Sequence, residues 1–245
     1  MTDLSADKDP DAPGRSVLAT TLRLLTFQAT TEELAELNGR HFLFGLLCTW
    51  LVGVGRYWDN SHVPLLQRLG TGSLIYIFAL SLLLWLVLWP LRPRHWSYFR
   101  VLTFVSLVSP PAILYALPLE YFYSIETANS LNVLFLAIVA TWRVALLLFF
   151  LRRLGDLDWF SIIVAGLLPL TLMVATLTML NLERVVFDLM GGLHEKTAGD
   201  SSYVVLIVLS ELSILLFLPL LLCYVALALK SLLAARKGAK RNRET

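Results

Sequence analysis

Arg143 is the first residue of this chain on which chemistry could be built, because it is a charge inside an apolar run. It lies in LNVLFLAIVATWRVALLLFFLRR, nine residues before Arg152, or about 13 Å along a helix. A guanidinium at such depth in a bilayer costs from about 3 to over 10 kcal/mol unless it snorkels or finds a partner. Glu211, in VVLIVLSELSILLFL, is the obvious partner and stands nine residues after Ser202. If both runs cross from outside to inside, Arg143 is about 13 Å and Glu211 about 16 Å from the inner edge of a core of roughly 30 Å. The two charges are then nearly level. An ion pair that fixes helix packing is the leading expectation. A proton or ion relay, and two separate snorkelling or water-facing charges, are the alternatives.

Other constellations are thinner. Asp59 and His62, in Tyr57-Trp58-Asp59-Asn60-Ser61-His62, are two metal-ligand types without a third, so no metal site is expected. Trp58 and Tyr57 suit an interfacial aromatic belt, as do Trp96, Tyr98, Trp159 and Tyr121-Phe122-Tyr123. His41, His62, His95 and His194 are scattered through edges and loops. Gly-x-Ser-Gly, His-Glu-x-x-His and glycine-rich phosphate loops do not occur. Glu32-Glu33 matches only the start of the Glu-Glu-x-x-x-Arg motif of prenyl-protein-type intramembrane proteases, since Leu37 stands in the place of the arginine. Catalytic residues and cofactors are therefore not expected.

The elements that would position Arg143 and Glu211 are membrane spans. Hydrophobic residues make up 57% of the 245 and charged residues only 16%, against roughly 25% charged in an ordinary soluble domain. Apolar runs at about 42–57, 73–90, 99–118, 129–151, 159–181 and 203–229 approach the length needed to cross a bilayer. The expected fold is all-α, a polytopic transmembrane bundle of about six spans occupying 42–229. Pro110 and Pro111 interrupt the third span, Pro118 closes it, and Pro169 and Pro219 fall in the fifth and sixth. Proline removes a backbone donor and bends a helix. Packing shape is the plain reading of Pro110 and Pro111, and a moving hinge is the sharper one.

Residues 1–14 carry Asp, Pro and Gly with little to bury and read as disordered. Leu18, Leu22 and Leu25 share one face of a short amphipathic helix over 16–27, expected at the cytoplasmic surface. Thr30 with Glu33 fits a capping box, so a helix should begin near Thr31 and run through His41 into the first span. Residues 1–41 thus form a cytoplasmic N-terminal segment, and a cleaved signal peptide is not expected. Residues 230–245 hold Lys230, Arg236, Lys237, Lys240, Arg241 and Arg243, a basic tail suited to anionic lipid and not to nucleic acid.

Counting Lys and Arg on alternate sides sets the orientation. Lys8, Arg15, Arg23, Arg40, the Arg92–Arg100 loop, Arg152, Arg153 and the tail fall together, against Arg56, Arg68, Arg184 and Lys196. The richer side is cytoplasmic, so both termini are inside. Cys48 and Cys223 both lie in apolar runs, so no disulfide framework is indicated. The excess of arginine over lysine hints at a GC-rich bacterial genome, hence a bacterial inner membrane.

HWSYFRVLTFVSLVSPPAILYALPLEYF, residues 95–122, resembles part of the Yip family of membrane proteins in Tyr98-Phe99-Arg100, the mid-span Pro110-Pro111 and the return span at 129–151. The likeness extends in layout over about 40–230, although the Yip layout has about five spans. It implies a non-enzymatic membrane scaffold or interaction protein, with a protein partner on the cytoplasmic face and no family site residues. The alternative is a small transporter or channel subunit with Arg143 and Glu211 lining its path. An enzyme of unrecognised motif is the third and weakest class.

Overall fold

A computed structural model describes residues 16–55, 65–182 and 201–241. Among these residues the chain is helical, without a strand. Its α-helices are α1 (Val17–Leu25), α2 (Thr31–Ala35), α3 (Gly39–Gly55), α4 (Leu65–Arg68), α5 (Thr71–Leu88), α6 (Tyr98–Leu107), α7 (Ile125–Gly155), α8 (Trp159–Met179) and α9 (Ser201–Arg241). Short 3-10 turns occupy Trp89–Leu91, Pro110–Ala116 and Leu119–Tyr121.

Four helices are long and apolar enough to cross a membrane: Thr71–Leu91, Ser130–Gly155, Trp159–Met179 and Ile207–Ala235. They are compatible with an integral membrane protein. Two further apolar helical stretches, Gly39–Gly55 and Tyr98–Leu114, are shorter. The third expected span, 99–118, is not one helix. It stops at Leu107 and resumes as a 3-10 turn at Pro110. The cause is local: Pro110 and Pro111 offer no N–H to the preceding turn, and each restricts the residue before it.

The capping box forms as expected. The Thr30 N–H donates to Glu33 Oε2 at 2.7 Å, and the Glu33 N–H to Thr30 Oγ1 at 3.3 Å. The helix it opens does not continue into the first span, because α2 ends at Ala35 and α3 starts at Gly39. Asn38 re-initiates the chain there, its Oδ1 accepting from the Arg40 N–H at 3.1 Å. Side-chain oxygens of Ser97, Ser124 and Asp158 cap α6, α7 and α8 in the same way, each satisfying a donor that the first turn leaves open.

The core is organised around α6, in which every residue from Val101 to Leu107 is buried. Phe104 stacks on Phe150 of α7 with centroids 4.1 Å apart. Leu84 and Leu88 of α5, Leu151 and Leu154 of α7 and Ile162 of α8 complete the cluster. The same cluster takes in Leu24, Ala29, Leu34 and Leu37. The N-terminal segment therefore packs as part of the bundle, and residue 41 is no packing boundary.

The docking of that segment follows α7. Trp142 Nε1 donates to the Leu25 carbonyl at 3.0 Å, Phe27 stacks on Trp142, and Thr31 Oγ1 donates to the Arg153 carbonyl at 3.2 Å. Trp142 and Arg153 are eleven residues apart on one helix, so the chain from Leu25 to Thr31 tracks about 16 Å of α7. Arg23 Nε lies 3.2 Å from Oε1 of the buried Glu33, a salt bridge by distance without the alignment of a hydrogen bond. Leu18 and Leu22 remain exposed on the other face of α1.

Candidate functional site

The break after α6 is where the polar groups of the apolar interior converge. A continuous helix would carry the Ala112 N–H to the Val108 carbonyl. Instead that N–H donates to the Ser109 carbonyl at 2.9 Å. The Val108 carbonyl is left for another donor, and Nε of Arg143 supplies it from α7 at 3.2 Å. Arg143 is half-buried. Its guanidinium thus reaches the carbonyl end of α6, where unpaired C=O groups gather partial negative charge.

From the other side α3 closes on the same break. The Thr49 hydroxyl donates to the Gly45 carbonyl at 2.8 Å, lies 2.7 Å from the Ser109 hydroxyl and is 3.5 Å from the Ser106 carbonyl. Ser106 Oγ donates to the Thr103 carbonyl at 2.7 Å, and Thr103 Oγ1 to the Phe99 carbonyl at 2.8 Å. Thr49, Thr103, Ser106 and Ser109 are all buried. Gly45 lets the two backbones meet: a Cβ there would stand 2.8 Å from the Ser106 carbonyl carbon, closer than real contacts allow. Gly45 and Thr49 form a small-x-x-x-small pair of the kind that packs membrane helices closely. That spacing is the signal in the sequence that could have pointed to α3 as the partner of the break.

Of the residues singled out in the sequence, the structure brings Arg143 together with the Pro110–Pro111 break. Glu211 stands on α9 and is exposed. Among the described residues the ion pairs are Arg23 with Glu33 and Arg94 with Asp156, so no Arg143–Glu211 pair stands among them. Depth alone does not decide contact. The two helices need their charged faces opposed, and α9 meets the bundle through Ser210 and Ser213, not through Glu211. Asp59 and His62 lie outside the described residues. No group of three or more His, Cys, Asp or Glu side chains suited to a metal ion occurs among the described residues.

The second polar concentration lies at the opposite end of the core, around the Arg92–Arg100 loop. Arg100 donates to the Ala35 carbonyl from Nε at 3.2 Å and to the His95 carbonyl from Nη1 at 2.7 Å. Arg94 Nη1 lies 3.1 Å from Asp156 Oδ2, and the Arg152 guanidinium sits over the Trp159 ring. Asp158, the cap of α8, accepts from both the hydroxyl and the N–H of Ser161, which holds its carboxyl below the ordinary value. These contacts tie the α2, α6, α7 and α8 ends into one surface.

Chemically, the break offers hydroxyls and one guanidinium hydrogen-bonded to backbone and to each other. Activating a serine or threonine needs an adjacent base. The hydroxyls of Thr49, Ser106 and Ser109 bond to backbone carbonyls and to one another. Compared with protein-family models, curated proteins and solved structures, the chain matches none of them.

Proposed function

We propose that this chain is a non-enzymatic integral membrane protein of the scaffold or interaction type, Yip-like in layout, residing in a bacterial inner membrane. The observation that carries the reading is the use of Arg143. Its Nε is committed to the carbonyl end of a proline-broken helix, which is a structural task. The neighbouring hydroxyls of Thr49 and Ser109 meet each other at the break, and that of Ser106 bonds back to the Thr103 carbonyl within α6.

In this reading the four long helices cross the membrane. α3 and the α6 unit, with its 3-10 extension, fill two more crossings, giving six membrane-embedded segments with both termini inside. The surplus of Lys and Arg on one set of loops supports that orientation. The N-terminal helix α1 is sunk beside α7, with Leu18 and Leu22 toward lipid. The surface made by Arg94, Arg100, Arg152 and Asp158 receives a protein partner on the cytoplasmic side, and the basic tail meets anionic lipid.

One feature favours the transporter alternative: α6 is discontinuous, and membrane helices that unwind in mid-span often hold ions there. Affinity purification in mild detergent separates the two. A scaffold brings down a stoichiometric partner, and reconstituted vesicles show no ion flux. Flux that depends on Arg143 would replace the scaffold reading. The orientation is checked with single cysteines at Ser61, Ser124 and Ser201 in a cysteine-free version. All three should react with an impermeant thiol reagent in intact cells. Labelling confined to the tail would reverse the topology.

A further inference from the structure

His41 is a buried titratable group with half of its ring unbonded. The residue is only 8% exposed. Its Nδ1 lies 3.1 Å from Asn38 Oδ1 and 3.4 Å from the Asn38 backbone nitrogen. Nε2 is buried and has no hydrogen-bond partner among the described residues. Whichever tautomer the neutral ring takes, one nitrogen is bonded to Asn38 and the other is not.

The surroundings do not welcome a second proton. The ring is on the first turn of α3, where open N–H groups gather partial positive charge. Arg40 stands exposed in the same turn. α6, packed alongside, brings Arg100, which is committed to the Ala35 and His95 carbonyls. α1 brings Arg23, which pairs with Glu33 of α2, and Glu32 and Glu36 are exposed. α5 and the Pro110–Ala116 turn carry no Asp, Glu, Lys or Arg. Arg68 of α4 belongs to the far end of α3, where Trp50 Nε1 donates to the Leu69 carbonyl. Tyr76 of α5 and Tyr98 of α6 stay neutral wherever a histidine titrates. Among the described residues no carboxylate is paired with the ring. An imidazolium here would bury a charged N–H without an acceptor, which costs more than one unbonded neutral atom.

The corner that this ring closes is built to turn. α2 ends at Ala35 and α3 starts at Gly39. The link between them is held by the buried Leu37, the Arg100 bond to the Ala35 carbonyl and the contact of Asn38 with His41. A Cβ added at Gly39 would meet nothing within 4 Å, so the chain has room there.

We infer that His41 is a pH-sensitive catch: neutral, it holds the corner between α2 and α3 closed, and protonated, it leaves its place for water and the corner opens. The bonded, buried form is the neutral one. The closed corner therefore prevails at neutral pH and above, and is lost as pH falls and the ring gains its charge. The effect reaches the break of α6. His41, Gly45 and Thr49 follow one another at four-residue steps on the buried face of α3, so the contacts of Gly45 and Thr49 with Ser106 and Ser109 loosen with it.

A nitroxide on Glu36→Cys, in a version without Cys48 and Cys223, reads the corner in lipid vesicles. Its mobile fraction should grow reversibly between about pH 7.5 and about pH 5, by no more than about tenfold per pH unit, the limit for one proton. His41→Gln and His41→Phe, which cannot charge, should leave the spectrum constant with pH. A spectrum that ignores pH with His41 present would overturn the catch. Equal pH responses with and without His41, or one steeper than a single proton allows, would overturn His41 as its trigger. Should neither variant fold, carbon-13 labelling of the histidines decides: the buried ring must gain its charge over the interval in which the nitroxide loosens, and a ring that charges without loosening overturns the inference.

Discussion

If Arg143 serves as the substitute donor for a carbonyl that the prolines set free, then its importance must depend on those prolines. The wild-type arrangement gives the Val108 carbonyl one charged donor at 3.2 Å, in a residue only 6% exposed. A hydrogen bond to a charged group contributes about 1.5–3 kcal/mol net, and stranding the buried acceptor costs about 1–3 kcal/mol. Removing Arg143 also relieves the cost that a guanidinium would bear at such a place in a bilayer, about 3 kcal/mol on insertion scales. The two effects oppose each other, so Arg143→Met alone has a small and uninformative sum. The coupling is informative. In a Pro110→Ala, Pro111→Ala background α6 can run on, and the Ala112 N–H can turn from Ser109 to the Val108 carbonyl. Arg143 then becomes redundant. Thermal unfolding in detergent of the wild type, Arg143→Met, the double proline variant and the triple variant closes a cycle. We expect a coupling of about 1.5–3 kcal/mol, with Arg143→Met more damaging when the prolines are present. A coupling within about 0.5 kcal/mol of zero would show that Arg143 does not stand in for the donor lost at the break.

Two further perturbations probe the frame of the site. Gly45→Ala should destabilise the bundle by about 1–3 kcal/mol, because the added Cβ would lie 2.8 Å from the Ser106 carbonyl carbon; an unchanged melting temperature would show that α3 and α6 are not so closely apposed. Asp158 is a depressed carboxyl, so its contribution is present above the unfolded-state value and is lost as pH falls through the lower folded-state value. Asp158→Ala should cost about 1 kcal/mol at neutral pH, and Asp158→Asn should keep most of the cap while flattening this part of the acid dependence. Melting curves between pH 3 and 7 read both.

The helices themselves were legible because a bilayer imposes a length. The apolar runs at 73–90, 129–151 and 159–181 correspond to α5, α7 and α8 within a few residues. The Thr30–Glu33 cap was equally plain, since both of its bonds are local. What the sequence hid was direction around each helix and contact across the bundle. Counting from the loop edges puts Arg143 and Glu211 at similar depth only as an expectation, and such counting carries no azimuth; the face of α9 that meets the bundle holds Ser210 and Ser213 instead. The acceptor for Arg143 was unreadable because Val108 becomes one only after Pro110 and Pro111 have broken α6, 35 residues away in the chain. The docking of Leu24 and Phe27 was missed for a related reason. A nine-residue amphipathic helix is equally suited to lipid and to protein, and only the Trp142 and Phe149 rings on α7 decide for protein.

The polar centre at the α6 break should hold the fold together and stay dry. Ser109 is the residue to ask, since its hydroxyl lies at the break, 2.7 Å from Thr49, and is buried. The measurement is the reaction rate of a Ser109→Cys thiol, in a version without Cys48 and Cys223, with a small hydrophilic thiol reagent applied from each side of the membrane. No reaction is expected from either side in the folded protein, and full reaction after denaturation. Rapid modification of the folded protein, from one side or both, would mean that water reaches the break, and the structural reading of Arg143 would give way to a transport path.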